Sequence, residues 1–91
     1  MRFVYIVWFR DRSLPADDQD YEWPTCFVIE GQDRESALNW GDHLARRYAQ
    51  AQGQDLLSSK IESFEETELP GLETLPVIAE GHEATDSELG W

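Results

Sequence analysis

The sequence holds a single cysteine, Cys26, so no intrachain disulfide can staple it, which fits a reducing compartment. It has no long hydrophobic run. The apolar stretch Phe3-Val4-Tyr5-Ile6-Val7-Trp8-Phe9 falls far short of the roughly 20 residues a helix needs to span a bilayer. Arg10, Asp11 and Arg12 follow it, where a secretory signal would need small residues, so a soluble, cytoplasmic protein is expected. Bases are scarce: seven Lys and Arg stand against nineteen Asp and Glu, a net charge of −12, and none follows Lys60. Such a surface repels nucleic-acid phosphate and anionic lipid, which argues against nucleic-acid and membrane partners, and it steers towards a basic protein.

Sequence-readable catalytic machinery is missing as well. There is no glycine-rich phosphate loop, no G-x-S-x-G elbow, no paired C-x-x-C and no basic–aromatic stripe. Asp18, Asp20 and Glu22 alternate like the opening of a calcium loop, but Trp23 and Ile29 stand where its glycine and its bidentate acid belong. His82, in Glu80-Gly81-His82-Glu83, has no second histidine or cysteine at ligand spacing. No metal and no cofactor are therefore expected, and the chain reads more as a non-enzyme than as an enzyme. Glu62, Glu66 and Glu68 could share a face as an acid–base pair; in so acidic a chain that spacing arises readily by chance.

What is present is one long helical pattern over residues 33–53. Ala37, Trp40, Gly41, Leu44, Ala45, Tyr48 and Ala51 recur at the three-and-four spacing of a buried face, with Asn39, Asp42, His43, Arg46, Arg47 and Gln50 opposite. Asp33 is placed to cap the start and Gly53 to end the helix in a left-handed turn. Gly41, in mid-helix, costs about 1 kcal/mol against alanine, so a close approach to the sheet or to an aromatic ring is expected there.

Residues 2–10 read as a strand that is apolar on both faces, with Phe3, Tyr5, Val7 and Phe9 on one side and Val4, Ile6 and Trp8 on the other. Residues 11–24 read as a loop, 25–30 as a second strand and 56–65 as a third, edge strand with Leu57 and Ile61 on its inner face. Strand, helix and strand form a right-handed βαβ unit, and the doubly apolar first strand belongs between the other two. The expected fold is α+β, a small split βαβ (ββαβ) in sheet order 2-1-3 with one helix on one face. Leu75–Ala79 supplies a short fourth strand at an edge. Pro70-Gly71 signals a turn, and Thr85-Asp86-Ser87-Glu88 has capping-box spacing for one helical turn. Residues 1–79 make the domain and residues 80–91 an acidic C-terminal tail.

One helix leaves the second sheet face to be covered by residues 69–79, by the loop carrying Tyr21 and Trp23, or by another copy of the protein. Two functional readings follow. In the first, an interaction module of adaptor, inhibitor or immunity type binds a basic protein, with Trp8, Tyr21 and Trp23 as anchors and Asp17, Asp18 and Asp20 for steering. In the second, a small-ligand protein or small enzyme encloses a pocket on a homodimer joined through the sheet face, with Tyr5, Tyr48, His43 and Arg10 as its polar groups.

Overall fold

The computed structural model describes residues 1–67 and 71–91. Pro70 of the expected turn and Glu68 of the glutamate trio lie outside the described residues. The chain runs β1 (Arg2–Arg10), β2 (Glu22–Glu30), α1 (Arg34–Gln52), β3 (Asp55–Ser63), a single 3-10 turn (Leu72–Thr74), β4 (Val77–Ala79) and α2 (Asp86–Leu89). The sheet order is β3-β1-β2-β4. β1 pairs antiparallel with β2 and with β3, and β4 pairs parallel with β2. This is the α+β architecture and the 2-1-3 order that the two-faced first strand requires, with the short fourth strand added beside β2. No helix is long and apolar enough to cross a membrane, among the described residues.

The ends of α1 are fixed by local chemistry. The Asp33 carboxylate accepts from the Ser36 backbone N–H at 2.8 Å, and Gly53, at φ 66°, closes the helix by donating its N–H to the Ala49 carbonyl. Ala37, Gly41, Leu44, Ala45 and Ala49 form the buried stripe. Ala51, expected on that stripe, is exposed, because nineteen residues of 3.6-fold helix rotate it off the sheet and bring Ala49 in its place. Phe3, Tyr5, Val7 and Phe9 of β1 share the core with this stripe, joined by Phe27 and Ile29 of β2, Ile61 of β3 and Ile78 of β4.

Two strand details depart from the alternation read from sequence. β2 starts at Glu22, so Trp23 and Pro24 belong to the strand and not to the loop. Among the described residues β4 pairs only with Val28–Glu30, so β2 has no outer strand neighbour there at Pro24, and the missing N–H interrupts no ladder on that side. In β3 the register slips opposite Trp8 and Phe9: Trp8 pairs with Ser58 and Phe9 with Leu56. Leu57 is the extra residue of this bulge. It turns out to solvent, and Leu56 takes the inner position.

The second sheet face is covered at one end only. The β2–α1–β3 connection and the return from β3 to β4 cross the sheet in opposite directions. Crossovers of one hand then fall on opposite faces. The return carries Phe64, Leu72, Leu75 and Pro76, all half-buried. Val4 and Val28, which alternate away from α1, have no solvent exposure. Further along the same face cover stops: Ile6 and Cys26 are half-buried, Pro24 is exposed, and Trp8 is 42% exposed.

Residues 80–91 lie against α1 and β2. Thr85 and Glu88 form a complete capping box for the single turn of α2. Ala84 and Leu89 are buried in the main core.

Candidate functional site

Each residue singled out by the sequence has a definite place. Trp8 stands on the bare end of the sheet face, beside Ile6, Pro24, Thr25, Cys26 and Lys60, which together line a shallow depression of about 330 Å³. At the same end, where β1 passes into the loop, the Arg10 guanidinium lies over the Tyr21 ring, 5.6 Å from its centroid. The loop itself is turn-rich. Asp18 accepts through its side chain from the Asp20 N–H at 2.8 Å and through its backbone carbonyl from the Tyr21 N–H at 3.0 Å. Asp17 and Asp20 are exposed there, and Asp18 is half-buried. Trp23 faces the other way, onto the helix side. Its ring packs on Phe9 at 5.1 Å, and its Nε1 donates to Gln54 at 2.8 Å.

Tyr5, Tyr48, His43 and Arg10 occupy four separate environments. Tyr5 is fully buried beneath α1, where its hydroxyl donates to Asp42 Oδ1 at 2.7 Å; Ser59 of β3 donates to the same oxygen at 2.6 Å. Burial, and then the bond to Asp42, push the Tyr5 hydroxyl far above its usual 10. Asp42, read from the helical pattern as solvent-facing, is thus a half-buried clamp between α1, β1 and β3. The helix wheel assigns it to the polar side because it cannot show that β3 comes up along that flank. Tyr48 sits among aromatic rings, 5.2 Å from Phe9 and 4.9 Å from Trp91. Burial raises its hydroxyl pKa as well.

His43 belongs to a cluster that the sequence reading missed. Its ring stacks on Trp40 at 4.8 Å, and its Nε2 meets the Glu83 carboxylate at 2.8 Å. Arg47 donates to the same carboxylate and to the Ala84 carbonyl. Trp40 Nε1 donates to the His82 carbonyl at 3.2 Å, and His82 Nε2 meets Glu88 at 3.2 Å. The sequence carried half of this signal, since Trp40, His43 and Arg47 lie three and four apart on one helix flank. The other half, the return of residues 80–91 to that flank, is a long-range contact. Glu62 and Glu66 are each drawn into an ion pair, with Lys60 at 3.2 Å and Arg34 at 3.5 Å. Among the described residues no three His, Cys, Asp or Glu side chains gather at metal-ligand spacing.

The clustered carboxylates give the C-terminal segment a pH dependence. The hydrogen bond from His43 first, and then the charges of His43 and Arg47, hold the Glu83 carboxyl below its ordinary 4.5. His82 first, and then the Thr85 backbone, do the same for Glu88. A carboxyl depressed in the folded state stabilises it above the unfolded pKa, and that contribution is lost as pH falls through the folded value. Residues 82–91 should therefore loosen below about pH 4.5, before the sheet unfolds. Amide hydrogen exchange followed from pH 6 to pH 3 checks this; in a Glu83→Gln variant the pH dependence of that segment should flatten.

The geometry gathers an exposed tryptophan on an open sheet face, an acidic loop at the same end, and on the helix side an aromatic–carboxylate cluster. No family model, no curated protein and no solved structure matches this chain.

Proposed function

We propose that the protein is a small acidic interaction module of the cytoplasm, which captures a basic protein through the uncovered end of its sheet face. The observation that carries this reading is Trp8, 42% exposed near the end of the inner strand β1 with Ile6, Pro24 and Cys26 around it. A tryptophan left this bare on a central strand forgoes part of the ~1.5–3 kcal/mol that burial of a large apolar side chain gives. Exposed rings of this kind are the usual anchors of protein interfaces. Tyr21 and the acids Asp17, Asp18 and Asp20 stand at the same end, where the net charge of −12 adds long-range attraction for a cationic surface.

The test uses the full chain immobilised and exposed to an extract of its native host at low salt. Wild type should retain a basic protein that is released as salt rises to moderate strength. The Trp8→Ala variant should retain markedly less of that same protein. Equal capture by Trp8→Ala, or capture of an acidic protein indifferent to salt, contradicts the reading.

The second reading, a ligand pocket closed between two copies across the same face, has only the depression beside Trp8, Cys26 and Lys60 to support it, and none of its expected polar groups, Tyr5, Tyr48, His43 and Arg10, lines that depression. Against it, two chains of −12 repel each other as they approach. Light scattering at two concentrations separates the readings: a monomer at both supports the first, and a dimer that Trp8→Ala dissolves supports the second.

A further inference from the structure

A second recognition feature lies on the helix side of the sheet, away from Trp8. Ser36, Asn39, Trp40 and His43 form one flank of α1, at the spacing that stacks side chains along a helix. With Glu80 and Gly81, which follow β4, they bound a depression of about 510 Å³. Its wall is aromatic. The Trp40 and His43 rings lie 4.8 Å apart and 26° from parallel. Both are held from behind: Trp40 by its bond to the His82 carbonyl, His43 by Glu83.

Glu80 lines the same depression. Its Oε1 is sealed from solvent and has no hydrogen-bond partner among the described residues. The side chain rests against Gly31, where an added Cβ would come within 2.9 Å of Oε1, so a glycine makes the room for it. Neither lysine nor arginine lines the depression. The cationic groups of the cluster are engaged elsewhere, His43 with Glu83 and Arg47 with Glu83 and the Ala84 carbonyl. A carboxylate partly withdrawn from water without a counter-charge is costly, and bringing a cation to it relieves that cost. The face of the Trp40 indole attracts the same kind of charge, more strongly as water is excluded, while the charge of His43 is answered by Glu83. Wall and carboxylate therefore select one chemistry.

We propose that this depression binds an organic cation, an alkylammonium or guanidinium group, with its charge against the Glu80 carboxylate and its body along the Trp40–His43 wall. The ligand is of the class presented by lysine and arginine side chains. The site does not include Trp8 and goes beyond the sheet-face reading. Either can fail without the other.

The experiment titrates the full chain, labelled with nitrogen-15, and follows its four tryptophan indole N–H signals. The Trp40 signal is identified by its loss in Trp40→Phe. The probes are N-acetyl-lysine amide, N-acetyl-arginine amide and tetramethylammonium. N-acetyl-norleucine amide serves as the uncharged control, and ionic strength is held constant. The Trp40 signal should shift saturably with the cations and not with norleucine amide. Glu80→Gln should weaken that response by about tenfold or more, while the other three indole signals certify that the variant is folded. Trp8→Ala should leave it unchanged. A short peptide carrying lysine or arginine that binds more tightly than the single amides assigns the site to a polypeptide partner; equal affinity assigns it to a free small cation. No saturable shift with any cation, an equal shift with norleucine amide, or an undiminished response in Glu80→Gln overturns the proposal.

Discussion

Gly41→Ala should destabilise this protein by about 3 kcal/mol, although the same change in an exposed helix interior gains about 1 kcal/mol. The sign reverses because of what lies beneath. A Cβ at position 41 would meet Cδ1, Cε1 and Cγ of Tyr5 at 2.3, 2.5 and 2.6 Å. The ring cannot yield easily. It has no solvent exposure, it packs 5.3 Å from Phe27, and its hydroxyl is tied to Asp42. Its strand is hydrogen-bonded on both sides. The helix must lift instead, which pulls Asp42 away from Tyr5 and Ser59 and leaves polar groups of a part-buried network without partners. For a domain of this size the loss corresponds to a fall in Tm of roughly 12–24 °C, with Gly41→Leu worse. Thermal denaturation followed by circular dichroism measures it; an unchanged or raised Tm contradicts the contact. In Gly41→Ala combined with Tyr5→Leu the two losses should be less than additive, since removing the ring removes the clash.

That glycine is the clearest case of three-dimensional information carried by one residue. A mid-helix glycine with no turn to make requires a close approach, and the structure places an aromatic ring there. The central strand was equally legible: alternation that leaves Phe3, Tyr5, Val7 and Phe9 on one side and Val4, Ile6 and Trp8 on the other demands neighbours on both edges and cover on both faces. The caps at Asp33 and Gly53 and the box at Thr85 could be read because each depends on residues within four positions. What could not be read depends on distant partners. The bulge at Leu57 is set by the pairing of β3 with β1, and a two-residue period applied to the sequence puts the wrong leucine inside. Asp42 was misassigned because a helical wheel shows the helix and not the strand rising beside it. Of the candidate site, the exposure of Trp8 departs from the cover on both faces that its strand pattern calls for, and Glu80 and Glu83 could not be identified. Nothing within ten residues of them in sequence foretells that Glu83 meets His43 and Arg47 or that Glu80 shares a depression with Trp40.

Trp91→Ala should cost about 3 kcal/mol, a large effect for a residue so far from the βαβ unit in sequence. The reason is the shape of the core. α1 faces the sheet with small residues, Ala37, Gly41, Ala45 and Ala49, which let it sit close. The end of the sheet carrying Phe9, Trp23 and Phe27 needs more cover than those side chains give. Tyr48 supplies part of it. Trp91 supplies the rest, with its ring 5.5 Å from Phe9, 5.7 Å from Phe27 and 4.9 Å from Tyr48, each in an edge-to-face arrangement. Its indole Nε1 is bonded to Thr25 Oγ1 at 3.0 Å, so it is satisfied without reaching solvent. Removing the ring uncovers Phe9 and Phe27 together and frees the segment that carries Ala84 and Leu89. Denaturant unfolding should then show the loss in midpoint, and amide exchange should show residues 82–91 unprotected at neutral pH. Trp91→Phe divides the effect: it keeps an aromatic edge in the cluster but gives up the bond to Thr25, and should cost only about 1 kcal/mol. If the two variants lose the same amount, the indole hydrogen bond and not the ring holds the segment down; if neither loses more than about 0.5 kcal/mol, the range of surface substitutions away from any packing, the C-terminal segment is not part of the core at all.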